Sequence, residues 1–296
     1  MNCYTDYASY LSRHFDGKVQ KLTVDAGFTC PNRDGSKGRG GCAYCNNASF
    51  SPSLPGNAKS VTEQLTAGKK FFASKYPSMR YLAYFQSYTN TYGDIRQLMA
   101  LYHEALSVPD VVGLIIGTRP DMMPDSLLEE LARLAQEGRY IMIEYGAESC
   151  HDKTLERVNR CHTWADTVDV VNRTHDAGLH VGLHLIMGLP GESRDMMLET
   201  VIKSCQLPVD VLKLHQLQIL RGTRLALETD TIKTFELDEY LDLCVEIVSL
   251  VPRHIAIERF TSSAPASLLI APRWGVKNYQ FVNLLNNRLN DENTIH

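Results

Sequence analysis

Gly27-Phe28-Thr29-Cys30-Pro31-Asn32-Arg33-Asp34-Gly35-Ser36-Lys37-Gly38-Arg39-Gly40-Gly41-Cys42-Ala43-Tyr44-Cys45-Asn46 follows closely on the first β-rich run of the chain, residues 19–24. Three of the eight cysteines lie in this stretch. Cys42 and Cys45 stand at the C-x2-C spacing that puts two thiolates on one turn, and Cys30 returns from the far end of the loop. The stretch also carries five glycines. Glycine lets a backbone wrap tightly and aim its N–H groups at inorganic sulfur. A structural zinc site normally takes four protein ligands, so zinc here needs a fourth, with His14 or His151 as candidates. A [4Fe–4S] cluster held by three cysteines leaves one iron open to a ligand from outside the chain, and three thiols fit that arrangement better.

Outward from the loop, β-rich apolar runs recur at residues 81–85, 111–116, 140–145, 180–187, 211–219 and 254–258. Between them, apolar residues recur at helical spacing over 61–76, 95–106, 126–136, 164–177, 196–206 and 237–251. Pro124 or Asp125 starts the third of these helices and Gly138 ends it; Gly178 closes the fourth. Residues 276–289 read as a terminal helix and 52–57 as a loop. Strand–helix alternation implies right-handed βαβ units and a parallel sheet. Six or seven units predict an α/β fold, a partial or full TIM-like barrel of about six parallel strands with extra C-terminal elements. An open doubly wound sheet is the alternative. In both, ligands bind at the carboxyl ends of the strands, where the cysteine loop falls. The expected organisation is a single domain over 1–296, with a cluster loop at 28–46 and a C-terminal extension from about 252.

The 296 residues are 44% apolar and 22% charged, which suits a full globular core rather than disorder. A formal net charge of −4 argues against a dedicated non-specific nucleic-acid binder. No apolar run reaches membrane-spanning length and the first residues lack the apolar core of a secretory signal, so a cytoplasmic location is expected, with no membrane partner. Cysteines stay reduced there, which favours metal over disulfides.

The cysteine pattern on a loop after the first barrel strand resembles the radical S-adenosylmethionine (radical SAM) enzymes. The long gap before Cys42 is similar to the elongator-catalytic-subunit-like branch, and Asp25-Ala26-Gly27-Phe28-Thr29-Cys30-Pro31-Asn32-Arg33-Asp34-Gly35 resembles one bacterial group within it. The resemblance runs over nearly the whole chain. It implies that Cys30, Cys42 and Cys45 hold a [4Fe–4S] cluster, that its open iron binds the amino and carboxylate groups of S-adenosylmethionine (SAM), and that a low-potential donor of flavodoxin or ferredoxin type feeds the cluster.

Later motifs carry the resemblance further. Where relatives have a Gly-Gly-acid motif for the SAM amino group, this chain has Gln86-Ser87-Tyr88-Thr89, so Gln86 and Ser87, with Thr89, are the substitutes. Gly117-Thr118-Arg119-Pro120-Asp121 ends the next strand, with Thr118 a candidate contact and Arg119–Asp121 a candidate surface pair. Glu148, where relatives have Gln, is implied to bind the ribose, and Arg160 the SAM carboxylate. Cys161 stands where relatives have glycine, so the turn there is expected to differ. Ile186-Met187-Gly188-Leu189-Pro190-Gly191-Glu192 resembles the adenine-lining turn, with Ile186 and Gly188 as contacts. Strand alternation puts Lys213, His215 and Leu217 on one face; His215 and Leu217 are the remaining SAM candidates. His184 and His215 are expected in the barrel interior.

The branch resemblance implies a tRNA base, such as wobble uridine, as substrate class. A small metabolite or protein side chain is the second reading, and a non-catalytic zinc-containing binding module the reading from another class. Arg259, Arg273 and Lys277 are candidate phosphate contacts, with Trp274 for stacking; a barrel-closing plug is the alternative for that stretch.

Overall fold

The computed structural model describes residues 3–49, 60–73, 76 and 78–295. The chain opens with β1 (Thr5–Asp6), α1 (Tyr7–Leu11) and β2 (Val19–Val24). Then come α2 (Val61–Ala73), β3 (Arg80–Phe85), α3 (Ile95–Ser107), β4 (Val111–Thr118), α4 (Asp125–Gln136) and β5 (Tyr140–Glu148). Next are α5 (Asp152–Arg157), α6 (Trp164–Asp176), β6 (His180–Met187), α7 (Arg194–Cys205), β7 (Val211–Gln216) and β8 (Ile219–Leu220). The chain finishes with α8 (Leu237–Leu250), β9 (Ala256–Arg259), β10 (Leu269–Ala271) and α9 (Asn278–Ile295).

Eight strands form one sheet in the order β1-β9-β7-β6-β5-β4-β3-β2, every neighbouring pair parallel. From β2 to β7 the order is consecutive, without the reversal that defines a doubly wound sheet. The sheet is therefore a curled half-barrel with edges at β1 and β2, a partial rather than a full TIM-like barrel. On one side the sheet is extended by β9, from the run expected at 254–258, and by β1, which was not expected.

All nine residues of β5 are buried, as a central parallel strand covered on both faces must be. Outside, α4 turns Leu127, Leu128, Leu131 and Leu134 onto the sheet, at the spacing of one helix face. Each such leucine contributes roughly 1.5–3 kcal/mol by leaving water, and truncating Leu131 to Ala would cost about 2–5 kcal/mol. At the amino ends of the strands, Tyr10 of α1 packs in a buried cluster with Leu82, Tyr84, Ile115, Tyr140, Met142 and Val211. A five-residue helix shows too little periodicity to be found from sequence, yet it closes the bottom of the barrel.

The expected strand 211–219 is two strands. Leu217 turns the chain out of the sheet, its N–H donating to Met187 O at 2.8 Å, and β8 then pairs antiparallel with β10. The strand expected at 254–258 starts at Ala256, after the turn in which the Ile255 N–H bonds Pro252 O. The terminal helix begins at Asn278 and runs to Ile295. The helix expected over 61–76 ends at Ala73. The loop expected at 52–57 lies outside the described residues. Among the described residues no helix is long and apolar enough to cross a membrane.

Candidate active site

A cavity opens at the carboxyl ends of the strands. Cys30, Cys42 and Cys45 all line it, together with Gln86, Thr118, Glu148, Arg160, Ile186, His215 and Leu217. Twelve positions were expected around one site, and ten of them face this space. Ser87 is buried beside it, while Thr89 takes a place in the wall. Gly188, at φ 88°, lies instead against the Phe235 ring and lines a neighbouring groove.

The cysteine loop owes its shape to local hydrogen bonds. The Arg33 and Asp34 N–H groups both donate to Cys30 O, at 2.8 and 3.2 Å, and the Cys45 N–H closes a turn on Cys42 O at 3.0 Å. Gly40 and Gly41 sit at φ 78° and 77°, a left-handed backbone that suits glycine. Asn159 clamps the loop from the other side, its Nδ2 donating to Arg39 O at 3.2 Å and Gly41 O at 2.8 Å. Asn32 Nδ2 in turn donates to Asn159 O at 2.5 Å. Lys37 reaches from the loop to Asp121 at 2.7 Å, and Asp121 also holds Arg119 through two bonds of 2.9 and 3.0 Å. The Arg119–Asp121 pair is thus buried rather than on the surface, since the loop covers it.

Polar donors point at the sulfurs. Asn32 Nδ2 and Arg160 Nη1 each lie 3.5 Å from Cys42 Sγ, and Arg33 Nη2 lies 3.5 Å from Cys45 Sγ. Such donors stabilise thiolate and cluster sulfur. All three cysteines are free. Among the described residues no three His, Cys, Asp or Glu side chains converge on a point where one metal ion would be held. The two candidate fourth zinc ligands are elsewhere. His14 packs on Tyr10, Tyr140 and His180 at the barrel bottom, and His151 Nε2 lies 3.0 Å from Met196 O. Neither histidine joins the three thiols on the cavity wall, so no fourth protein ligand for a structural zinc stands beside them among these candidates.

Beyond the cysteines, Arg160 is almost fully buried, with Nη2 bonded to Gly146 O at 2.6 Å and 3.5 Å from Glu148 Oε1. Its Nε is enclosed with no hydrogen-bond partner. Glu148 follows a register shift in the β5–β6 pairing and sits at φ 65°, a strained position for a side chain with a Cβ, and one of the kind that collects at functional sites. The Cys161 turn is left-handed, the backbone region that glycine favours. Cys161 itself adopts φ 58°, and its Sγ lies 3.2 Å from Asn32 Oδ1. An apolar wall of Ala43, Ile186, Leu189, Leu217 and Leu225, with Val158, stands beside the loop.

At and beneath the cavity floor lies a charge cluster in which Lys21, Glu144 and Glu258 were not singled out by the sequence. Glu144 accepts from Lys21 at 2.8 Å, Lys213 at 2.9 Å and His184 at 2.7 Å; Glu258 accepts from Lys21 at 2.5 Å and stands 3.1 Å from Lys213. Burial alone would raise the Glu144 carboxyl, but Lys21 and Lys213 hold it well below the usual carboxylate range. The only signal in the sequence is charged residues at inward positions of otherwise apolar strands. His184 and His215 both face inward, rings 5.4 Å apart. Burial, with Arg259 beside it, keeps the His215 imidazole well below its ordinary pKa.

The C-terminal candidates divide. Trp274 packs on Tyr240 and Phe281 and donates its indole N–H to Phe235 O at 2.9 Å, so it serves the fold and not base stacking. Arg259 lines the cavity inside the barrel, away from any outer rim. Arg273 and Lys277 are exposed.

A parallel half-barrel whose strand ends open on a three-thiol cavity defines an enzyme of the α/β-barrel kind. Residues 32–202 match the Radical SAM superfamily and residues 209–291 the Radical_SAM C-terminal domain. The chain belongs to the radical SAM superfamily. It is 39% identical to the protein YhcC of Escherichia coli over 266 residues, 89% of this chain and 85% of YhcC. It is 24% identical over 164 residues to a tRNA uridine(34) acetyltransferase of Methanocaldococcus jannaschii, 54% of this chain and 30% of that one. The archaeal Methanocaldococcus infernus Elp3 shares the fold at a TM-score of 0.70 and 18% identity, across 93% of this chain and 63% of that structure. These relatives set the chain in an elongator-like branch. The family implies a [4Fe–4S] cluster and SAM.

Proposed function

We propose that the chain is a [4Fe–4S] enzyme that binds SAM in the strand-end cavity, cleaves it reductively, and acts on a tRNA base such as wobble uridine. The observation that carries the first part is the meeting of Cys30, Cys42 and Cys45 with Glu148 and Arg160 in one cavity. A cluster held by Cys30, Cys42 and Cys45 would supply the electron for reductive cleavage of SAM. The three thiolates hold the cluster, and Asn32, Arg33 and Arg160 donate to their sulfurs. The Arg160 guanidinium, on the cavity wall, offers a charge-assisted bond to the SAM carboxylate. Glu148 accepts from the ribose hydroxyls. Gln86, Thr118 and Thr89 are polar contacts for the amino-acid end of SAM. Ile186 and Leu217 supply the apolar wall for adenine. The buried wall keeps water from the reactive carbon.

A low-potential donor of flavodoxin or ferredoxin type supplies the electron, and the reducing cytoplasm is the expected setting. The tRNA assignment rests on the alignment with a tRNA uridine(34) acetyltransferase over half of this chain. Anaerobic purification tests the cluster. About four irons and four sulfides per chain are expected. Cys30→Ala, Cys42→Ala and Cys45→Ala should each lose them, while Cys205→Ala on α7 should keep them. Stoichiometric zinc without sulfide would sink the reading. SAM and a reductant should then release 5′-deoxyadenosine, and bulk tRNA followed by nucleoside mass spectrometry should show the modified base.

A further inference from the structure

The charges of the cavity floor do not cancel. Lys21 and Lys213 are each within 3.1 Å of both Glu144 and Glu258, which closes a square of two cations and two anions. Arg259 is left over. Among the described residues no carboxylate lies within ion-pair distance of its guanidinium. Its Nη2 stands 3.3 and 3.2 Å from the two ring nitrogens of His215, and its Nε is enclosed without a partner. The neighbours facing it add no negative charge. Burial and Arg259 itself push the His215 imidazole well below its ordinary pKa, Tyr84 is bonded to Lys213 at 3.0 Å, and the Gln216 amide is engaged with Ser262. A half-buried cation without a counter-charge on a cavity wall gains by pairing with an anion that enters the cavity. Arg259 also lines the same cavity as the three cluster cysteines.

We infer that Arg259, steadied by the His215 ring, anchors an anionic group of the substrate, a carboxylate or a phosphate, at the floor of the cavity. This rests on reading that cavity as the reaction chamber. The guanidinium offers a planar set of donors that matches two oxygens of one anion. The lysines are not the anchor, because both are already saturated by carboxylates. Such an anchor holds one end of the substrate deep in the barrel and leaves the rest towards the cluster.

The test uses the full chain, reconstituted anaerobically, with sodium acetate and inorganic phosphate as probes at constant ionic strength. Melting temperature is followed against probe concentration with and without saturating SAM. Wild type should be stabilised by at least one probe; acetate alone marks a carboxylate site, phosphate alone a phosphate site. Arg259→Gln should weaken that response by about tenfold or more, and should melt no lower than wild type without anion, since it removes an uncompensated charge. Arg259→Lys keeps the charge and should keep part of the response. No response in wild type, or an undiminished response in Arg259→Gln, overturns the assignment. A response abolished by SAM also overturns it, because the site then holds the carboxylate of SAM itself. Iron and sulfide are counted in the same samples. Loss of the anion response with the cluster intact defeats the anchor alone, and an absent cluster with the response intact defeats the cluster reading alone.

Discussion

Arg160 Nη1 lies 3.5 Å from Cys42 Sγ, so the guanidinium assigned to SAM also supports a cluster ligand. Its Nη2 bonds Gly146 O, and the residue lines the cavity. Replacing Arg160 by Ala removes the charge-assisted contact. SAM affinity should fall by about 1.5–3 kcal/mol, roughly 10- to 150-fold. The cluster should persist, because its thiolates remain. Equal SAM affinity in Arg160→Ala and wild type, measured by equilibrium dialysis on reconstituted protein, would refute the carboxylate role.

His162 gives a pH prediction. Burial, then the neighbouring Arg160 and Arg119, push its imidazole down to about 2, against only partial help from Asp121. The folded chain keeps this histidine neutral while the unfolded chain protonates it near 6.5. Below that pH the unfolded state binds more protons, so stability falls as pH drops. The loss is up to about 1.4 kcal/mol for each pH unit below 6.5 from this one residue. His184 and His215, both also lowered by burial first, act in the same direction. Urea unfolding between pH 5 and 7 should show the decline, and His162→Gln should reduce its slope by about one proton. An unchanged slope in the variant would rule His162 out as a source.

Cys161 occupies a left-handed turn, at φ 58°, where relatives have glycine. Left-handed backbone costs a residue with a Cβ roughly 1–2 kcal/mol. Cys161→Gly should therefore be no less stable than wild type, the relief being offset in part by glycine entropy of about 0.5–1 kcal/mol. Cys161→Val puts a β-branched residue there and should cost about 1–2 kcal/mol. Thermal melts that rank Val at or above wild type would contradict the strained geometry.

The contrast between what the sequence showed and what it hid follows from range. The cysteine loop, the strands from β2 to β6 and the Gly-Leu-Pro-Gly turn are local patterns, visible because spacing or periodicity carries them. The Lys21–Glu144–Lys213–Glu258 square joins residues up to 237 positions apart, on strands β2, β5, β7 and β9, and no local pattern announces it. Trp274 and Arg259 looked like rim residues because cations and an aromatic cluster in that stretch. Folding sends the indole into the α8–α9 packing and the guanidinium into the barrel. Gly188 was placed by family likeness at the adenine, yet Phe235 from a distant loop occupies its side.

The tRNA reading needs cations outside the barrel, since phosphates of a folded RNA stay at the surface while a flipped base enters. With Arg259 inside and Trp274 packed away, Arg273 and Lys277 remain from the C-terminal stretch. Arg273 is held in place by the Leu269 and Ile270 carbonyls, at 2.9 and 3.2 Å, so its charge is presented at a defined point. Each phosphate contact releases counterions, and affinity then falls steeply with salt. Removing both cations should flatten the slope of log affinity against log salt by about 1–2 units. A fluorescence titration with bulk tRNA at two salt concentrations reads the slope. An unchanged slope in the double variant would remove these two residues from the interface, and no tRNA binding by wild type even at low salt would end the tRNA assignment.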